Sequence, residues 1–225
     1  MSDQTQGLSN AVQLYLMTPP GVTAGALQPL LEAALDVGPV ACVLIDKATG
    51  ESDPAALAAT VQLIQKYDAA ALLQAPDAAK RTGADGVHLN HPGEEAAEAE
   101  IAAAVKQAKG IGIVGAGALQ TRHQAMDMGE RDVDYVMFGE PDINSGMDSD
   151  LPSAEAVLAR VGWWAEIFTI PCVVYARTLD EIPALVAAGA DFIALRDAVW
   201  SDPRGVTVAM AQALEAIRRQ PLEAA

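Results

Sequence analysis

A chain of 225 residues, 51% hydrophobic and only 4% aromatic, carries enough apolar surface for one domain of roughly 200 to 250 residues with a full core. Fourteen Lys and Arg against 30 Asp and Glu leave a net charge of −16. That field repels nucleic acid and anionic lipid, so neither is expected as a partner, and no apolar run approaches the roughly 18 residues of a membrane span.

Residues 1–10 form a polar tail without the basic-then-apolar pattern of a secretory leader, which predicts a cytoplasmic protein. From about 11 to 219 the chain alternates two kinds of segment. Apolar or β-branched runs predict strands at 11–17, 40–46, 71–74, 86–89, 112–116, 135–139, 171–176 and 192–196. Ala-rich segments with 3.6-residue periodicity predict helices at 24–37, 54–67, 76–82, 94–108, 120–128, 153–167, 179–188 and 207–219. Such alternation is the mark of parallel βα units, and eight of them predict a single-domain (β/α)₈ TIM barrel. A doubly wound open sheet is the rival, but it usually has fewer strands, and no glycine-rich dinucleotide fingerprint follows the first strand. In a closed barrel any ligand site lies where strands end and loops lead into helices.

Several features along the chain have structural readings. Cys42 and Cys172 sit inside apolar strand-like runs, which suits small buried hydrophobes rather than a disulfide. Thr82-Gly83-Ala84-Asp85-Gly86, Ala188-Gly189-Ala190-Asp191-Phe192 and the looser 129–135 segment repeat one device. In each, a glycine turns the chain out of a helix through the left-handed region, and an Asp bonds loop amides. The acidic stretch with Glu140, Asp142, Asp148 and Asp150 lacks calcium-loop spacing and reads as a solvated lid, so no metal site is predicted. Trp163 and Trp164 are adjacent on one helix, which turns one of them outward and suggests a homodimer contact.

Gly83-Ala84-Asp85-Gly86-Val87-His88-Leu89 resembles a segment of the thiamine phosphate synthases and the related thiazole tautomerases, both (β/α)₈ barrels. Asp134 to Gly139, Ile170 to Val174 and Ala188 to Ala194 resemble the same family's sixth, seventh and eighth strands, so the resemblance spans about Leu14 to Val199. It implies thiamine biosynthesis and a transferase that joins a pyrimidine diphosphate to a thiazole phosphate with Mg²⁺, releasing pyrophosphate. That chemistry needs a metal held by carboxylates and cationic or amide groups on the phosphates.

At several of the implied positions this chain has other residues. The Gln-Leu-Arg-x-Lys strand end is Val43-Leu44-Ile45-Asp46-Lys47, keeping only the Lys. An Asn-Asp pair after the third strand becomes Gln74-Ala75 or Leu73-Gln74. The metal-binding Gly-Gln-x-Asp is Asn90-His91-Pro92-Gly93, so two magnesium carboxylates of the family are replaced. A Thr-x-Thr-Lys loop gives way to Glu140-Pro141-Asp142, a phosphate-holding Gly-Gly pair to Ala176-Arg177, and a Ser-containing turn to Arg196-Asp197. The tautomerase His near Gly117 falls on Leu119. The family reaction is therefore expected to be weak, altered or lost. A small phosphorylated or heterocyclic metabolite is the expected ligand, and the alternative is a non-catalytic ligand-binding or assembly barrel.

The candidate site residues follow from these positions. Lys47 and His88 are the catalytic candidates: the Lys could contact a diphosphate or simply be an exposed lysine, and the His could be an acid, base or ligand, or a satisfied core residue. Gln74, Asn90, His91, Gly117, Gly139, Glu140, Arg177, Arg196 and Asp197, together with Lys47, are the substrate-binding candidates. Arg177 and Arg196 end the last two strands, where barrels commonly bind phosphate, and a guanidinium can grip one bidentately. The opposing reading pairs Arg196 with Asp46, Asp197 or Glu140.

Overall fold

In the computed structural model the described residues are 11–50, 53–93, 97–141 and 152–219. Eight parallel strands close into a barrel in sequence order: β1 Gln13–Met17, β2 Cys42–Leu44, β3 Ala70–Leu73, β4 Gly86–Asn90, β5 Ile113–Gly117, β6 Tyr135–Phe138, β7 Cys172–Tyr175 and β8 Phe192–Leu195. Pairing of β8 with β1, Phe192 opposite Gln13 and Leu195 opposite Leu16, completes the ring. The helices are α1 Ala24–Leu35, α2 Lys47–Gly50, α3 Pro54–Lys66, α4 Pro76–Thr82, α5 Glu98–Lys109, α6 Arg122–Glu130, α7 Ala154–Ile167, α8 Ile182–Ala187, α9 Asp197–Trp200 and α10 Val206–Arg218.

The predicted strands and long helices appear at the predicted places. Two four-residue helices, α2 and α9, were not predicted. They follow β2 and β8 at the mouth and are too short to show a helical period. The segment predicted as one helix over 179–188 opens with a 3₁₀ turn, Leu179–Glu181, before α8. Where caps exist they are local in sequence: Asp53 accepts the Ala55 amide ahead of Pro54 in α3, and Thr121 with Gln124 forms a capping box on α6. No described helix is long and apolar enough to cross a membrane.

Strand alternation divides the apolar residues into two sets. Tyr15, Met17, Cys42, Leu44, Leu72, Tyr135, Met137, Val173, Tyr175 and Ala194 form one cluster in the lumen. Their neighbours, among them Leu14, Leu16, Val43, Val87, Val136, Val174 and Ile193, join the larger cluster beneath the helices. Both cysteines are buried and unbridged. Trp164 is also buried; its indole N–H donates to the Ile170 carbonyl at 2.8 Å. Trp163 does not stand out into solvent as expected. It is half-buried by its own chain, with the Arg122 guanidinium 4.7 Å from its ring and Phe168 packed against it.

At the amino-terminal ends of the strands, the glycine–Asp device takes a definite form. Gly83 and Gly189 adopt positive φ, at 72° and 101°. In the third copy Gly129 lies inside α6, and Asp132 takes the left-handed turn with φ 62°. The three aspartates bond strand amides, not loop amides as expected. Asp85 accepts from Ala71 N–H, Asp134 from Val114 N–H and Asp191 from Cys172 N–H, at 2.8, 2.7 and 2.8 Å. Each carboxylate thus staples the start of an even-numbered strand to its odd-numbered predecessor. Asp191→Ala removes that acceptor from the buried start of β7, so stability is expected to fall by about 2 kcal/mol and the melting temperature by about 5 °C. An unchanged melting temperature in calorimetry would contradict the staple.

Candidate functional site at the carboxyl-terminal mouth

Extending the inward alternation by one residue carries it from the lumen to the mouth: Asp46 beyond β2, Gln74 beyond β3, Asn90 at the end of β4, Gly117 at the end of β5, Gly139 beyond β6 and Arg196 beyond β8. These are mostly the residues singled out from sequence.

Below them lies a buried polar chain. The Tyr15 hydroxyl bonds the Tyr135 hydroxyl at 2.9 Å, and Tyr135 bonds His88 Nδ1 at 2.8 Å. His88 is 1% exposed. Burial holds its pKa down at about 4 and pushes both tyrosines well above the usual phenol range, so the imidazole is neutral at physiological pH. Gly115 leaves the space that the Tyr135 ring fills, since a Cβ there would lie 2.0 Å from Tyr135 Cζ. Gly117 does the same one layer up, where a Cβ would meet His88 Nε2 at 2.4 Å and Glu140 Oε1 at 2.8 Å. His88 thus lies buried beneath Gly117, beside Glu140.

A cavity of about 550 Å³ opens at the ends of β4, β5 and β6. It brings together four of the predicted residues, Asn90, His91, Gly139 and Glu140, with Gln120 and Arg160. His91 is fixed by two contacts: its amide donates to the Gly117 carbonyl at 2.8 Å, and its Nδ1 accepts from the Gly93 amide at 3.1 Å. Partial burial lowers its pKa, and Asp127 acts in the opposite direction. Glu140 accepts the Ala118 amide, and Ala118 is a non-glycine residue in the left-handed region, φ 55°. Strain of this kind persists where surrounding bonds impose it. Arg160, reaching in from α7, donates to the Leu119 and Gln120 carbonyls, and its burial disfavours the charged form.

The other predicted residues lie elsewhere on the rim. Lys47 is exposed as the first residue of α2 and borders neither this cavity nor the next. Gln74 holds a buried amide nitrogen without a hydrogen-bond partner. Arg177 and Asp197 border a second cavity of about 380 Å³ beyond β7 and β8. There Arg177 pairs with Glu181, and Arg196 pairs with Asp197, one of its three expected partners. The acidic stretch from Asp142 through Asp150 lies outside the described residues.

Ala118, Arg160 and Glu181 were not anticipated from the sequence. Glu181 carried a signal, being four residues after Arg177. Arg160 is a lone cation in a mostly apolar helix. Nothing local marks Ala118.

The fold is a (β/α)₈ barrel with a polar cavity at the carboxyl ends of its strands and a buried, neutral histidine beneath Gly117. Residues 14–199 match the family model described as thiamine monophosphate synthase. The thiamine-phosphate synthases of Rhodospirillum centenum and Erythrobacter litoralis are 37% and 35% identical to this chain, covering 88% and 91% of it and 94% and 96% of their own lengths. The chain belongs to the thiamine monophosphate synthase family, of thiamine biosynthesis. Solved structures agree on the fold. Thiamine phosphate pyrophosphorylase from Pyrococcus furiosus superposes with a TM-score of 0.70 at 21% identity, covering 93% of this chain and 96% of its own. A 3-hexulose-6-phosphate synthase also reaches 0.70, at 15% identity, covering 90% and 99%.

The family's Mg²⁺ requires oxygen ligands that converge, chiefly carboxylates. The described mouth does not fit this requirement. Asp46 bonds the Ala48 amide beyond β2, Glu140 the Ala118 amide beyond β6 and Asp197 the Arg196 guanidinium beyond β8. Among the described residues no group of three His, Cys, Asp or Glu side chains is placed to hold a metal ion.

Proposed function

We infer that this protein is a thiamine phosphate synthase-type barrel that binds a small heterocyclic or phosphorylated metabolite of thiamine biosynthesis at its carboxyl-terminal mouth. The family's coupling of pyrimidine diphosphate to thiazole phosphate is weakened or lost in it. The composition of the 550 Å³ cavity carries this reading. It offers three side-chain amides (Asn90, Gln120 and Gln124), an imidazole, one carboxylate and one guanidinium, groups suited to holding a ring with mixed donors and acceptors. Several families of phosphoryl chemistry instead depend on converging carboxylates with a metal and on uncommitted cations. Glu140 and Arg160 direct bonds at the backbone around Ala118 to Gln120, which preorganises the cavity wall.

The test mixes the purified protein with the pyrimidine diphosphate, the thiazole phosphate and Mg²⁺ and follows thiamine phosphate against a family member that retains the metal carboxylates. Loss of even one charge-stabilising group costs on the order of a hundredfold in rate, so at least that deficit is expected. A rate equal to the control's would overturn the reading of a weakened or lost reaction.

A further inference from the structure

The β7–β8 side of the mouth is where barrels of this architecture commonly take phosphate, using loop amides and cations. In this chain those groups already hold anions supplied by the chain itself. The Arg177 amide donates to Glu181 Oε2 at 2.8 Å, and the Arg177 side chain donates to Glu181 Oε1 from Nε at 3.1 Å. The Arg196 guanidinium straddles Asp197, with Nε 3.2 Å from both carboxylate oxygens and Nη2 2.7 Å from Oδ2. Further along the same cavity Arg204 forks onto Asp202 at 3.0 and 2.7 Å.

In every one of these pairs the partners are four or fewer residues apart. Such a pair closes almost no loop when it forms, so little chain entropy opposes it and it persists in the absence of ligand. A ligand phosphate arriving here must displace a carboxylate or sit beside one, and either costs it the charge-assisted bonds that would bind it.

We propose that Glu181 and Asp197 are specificity-determining residues: internal anions that fill the amide and guanidinium positions of the β7–β8 rim and make it discriminate against phosphorylated ligands. The ligand class this selects is the uncharged heterocyclic alcohol in preference to its phosphate ester. The proposal deepens the ligand-binding reading given above and rests on it for the identity of the ring, while the anion discrimination itself is read without any ring.

The experiment titrates inorganic phosphate calorimetrically, at low salt and near neutral pH, into the wild-type protein, Glu181→Gln, Asp197→Asn and the double variant. Both substitutions keep the shape and one acceptor oxygen, and matched melting temperatures establish that the variants are folded. The wild type is expected to bind phosphate weakly. Each variant should bind about tenfold more tightly, the scale for removing a like charge from beside a partly solvated anion, and the double variant more tightly than either. Adding Arg177→Gln to Glu181→Gln should abolish that variant's gain. Phosphate affinity that is the same in all four proteins would overturn the proposal, as would a wild type that binds phosphate as tightly as the double variant. A parallel titration with the thiazole alcohol and its phosphate separates the two readings. If neither thiazole binds while the phosphate gain persists, the ligand assignment fails and the role of Glu181 and Asp197 stands.

Discussion

Gly115→Ala should be among the most damaging single-methyl additions this barrel can receive, lowering stability by about 4 kcal/mol. The added Cβ would lie 2.0 to 2.5 Å from Tyr135 Cζ, hydroxyl and Cε1, far inside contact distance, so the ring must move. Overpacking alone costs about 1–3 kcal/mol. The ring is also the middle of the Tyr15–Tyr135–His88 chain, and displacing it leaves buried polar atoms unpaired at about 1–3 kcal/mol each. Near 2–4 °C per kcal/mol for a chain of this size, the melting temperature should drop by about 10 °C. Gly25→Ala is the control: it lies in α1 with nothing within 4 Å of its Cβ position, and Ala there should be neutral or slightly stabilising. Urea denaturation of both variants decides the matter. A Gly115→Ala protein as stable as the Gly25→Ala protein would mean that the lumen is looser than these distances require.

Acid should destabilise the fold through His88 well before most carboxylates titrate. With its pKa held at about 4 against an ordinary 6.5, the unfolded chain binds a proton between these values that the folded chain refuses. Stability therefore rises with pH across that window. The contribution is complete above pH 6.5. It is reduced by about 2 kcal/mol at pH 5 and by about 3 kcal/mol at pH 4, taking one pKa unit as 1.36 kcal/mol. The direction follows from burial, because the charged imidazolium would sit in the lumen with Tyr135 as its partner at Nδ1. His88→Gln removes the titration. The difference between wild-type and variant unfolding free energies, measured in urea from pH 7 to pH 5, should shrink or reverse as pH falls, and parallel curves over that range would sink the assignment. The same burial argues for a neutral hydrogen-bonding role in the lumen, with the proton exchange of a general acid or base displaced to much lower pH.

The architecture was legible because it is written in short-range periodicity. Alternation of strand-like and helix-like runs places all eight strands to within a few residues, and closure follows from their number and from parallel pairing in order. The glycines that turn α4 and α8 into the next strands were readable for the same reason, since a left-handed residue is a local requirement. Positions at strand ends, such as Asn90, Gly117 and Gly139, could be named as candidates because the fold puts strand ends at the mouth.

Side-chain bonding was not legible in the same way. Whether Asp85 meets a loop amide or the first amide of the neighbouring strand, whether Trp163 projects or lies beneath Arg122, and whether Arg196 chooses Asp46, Glu140 or Asp197 each depend on side-chain directions and on neighbours distant in sequence. Sequence by itself determined the order of the elements, the barrel and the family, all properties of pattern along the chain. Only the tertiary structure decided that His88 is buried and neutral, that Glu140 clasps Ala118, and that Arg177 and Arg196 already hold carboxylates. The physical reason is that hydrogen bonds and ion pairs act over about 3 Å in space, a distance that periodicity along the chain does not encode.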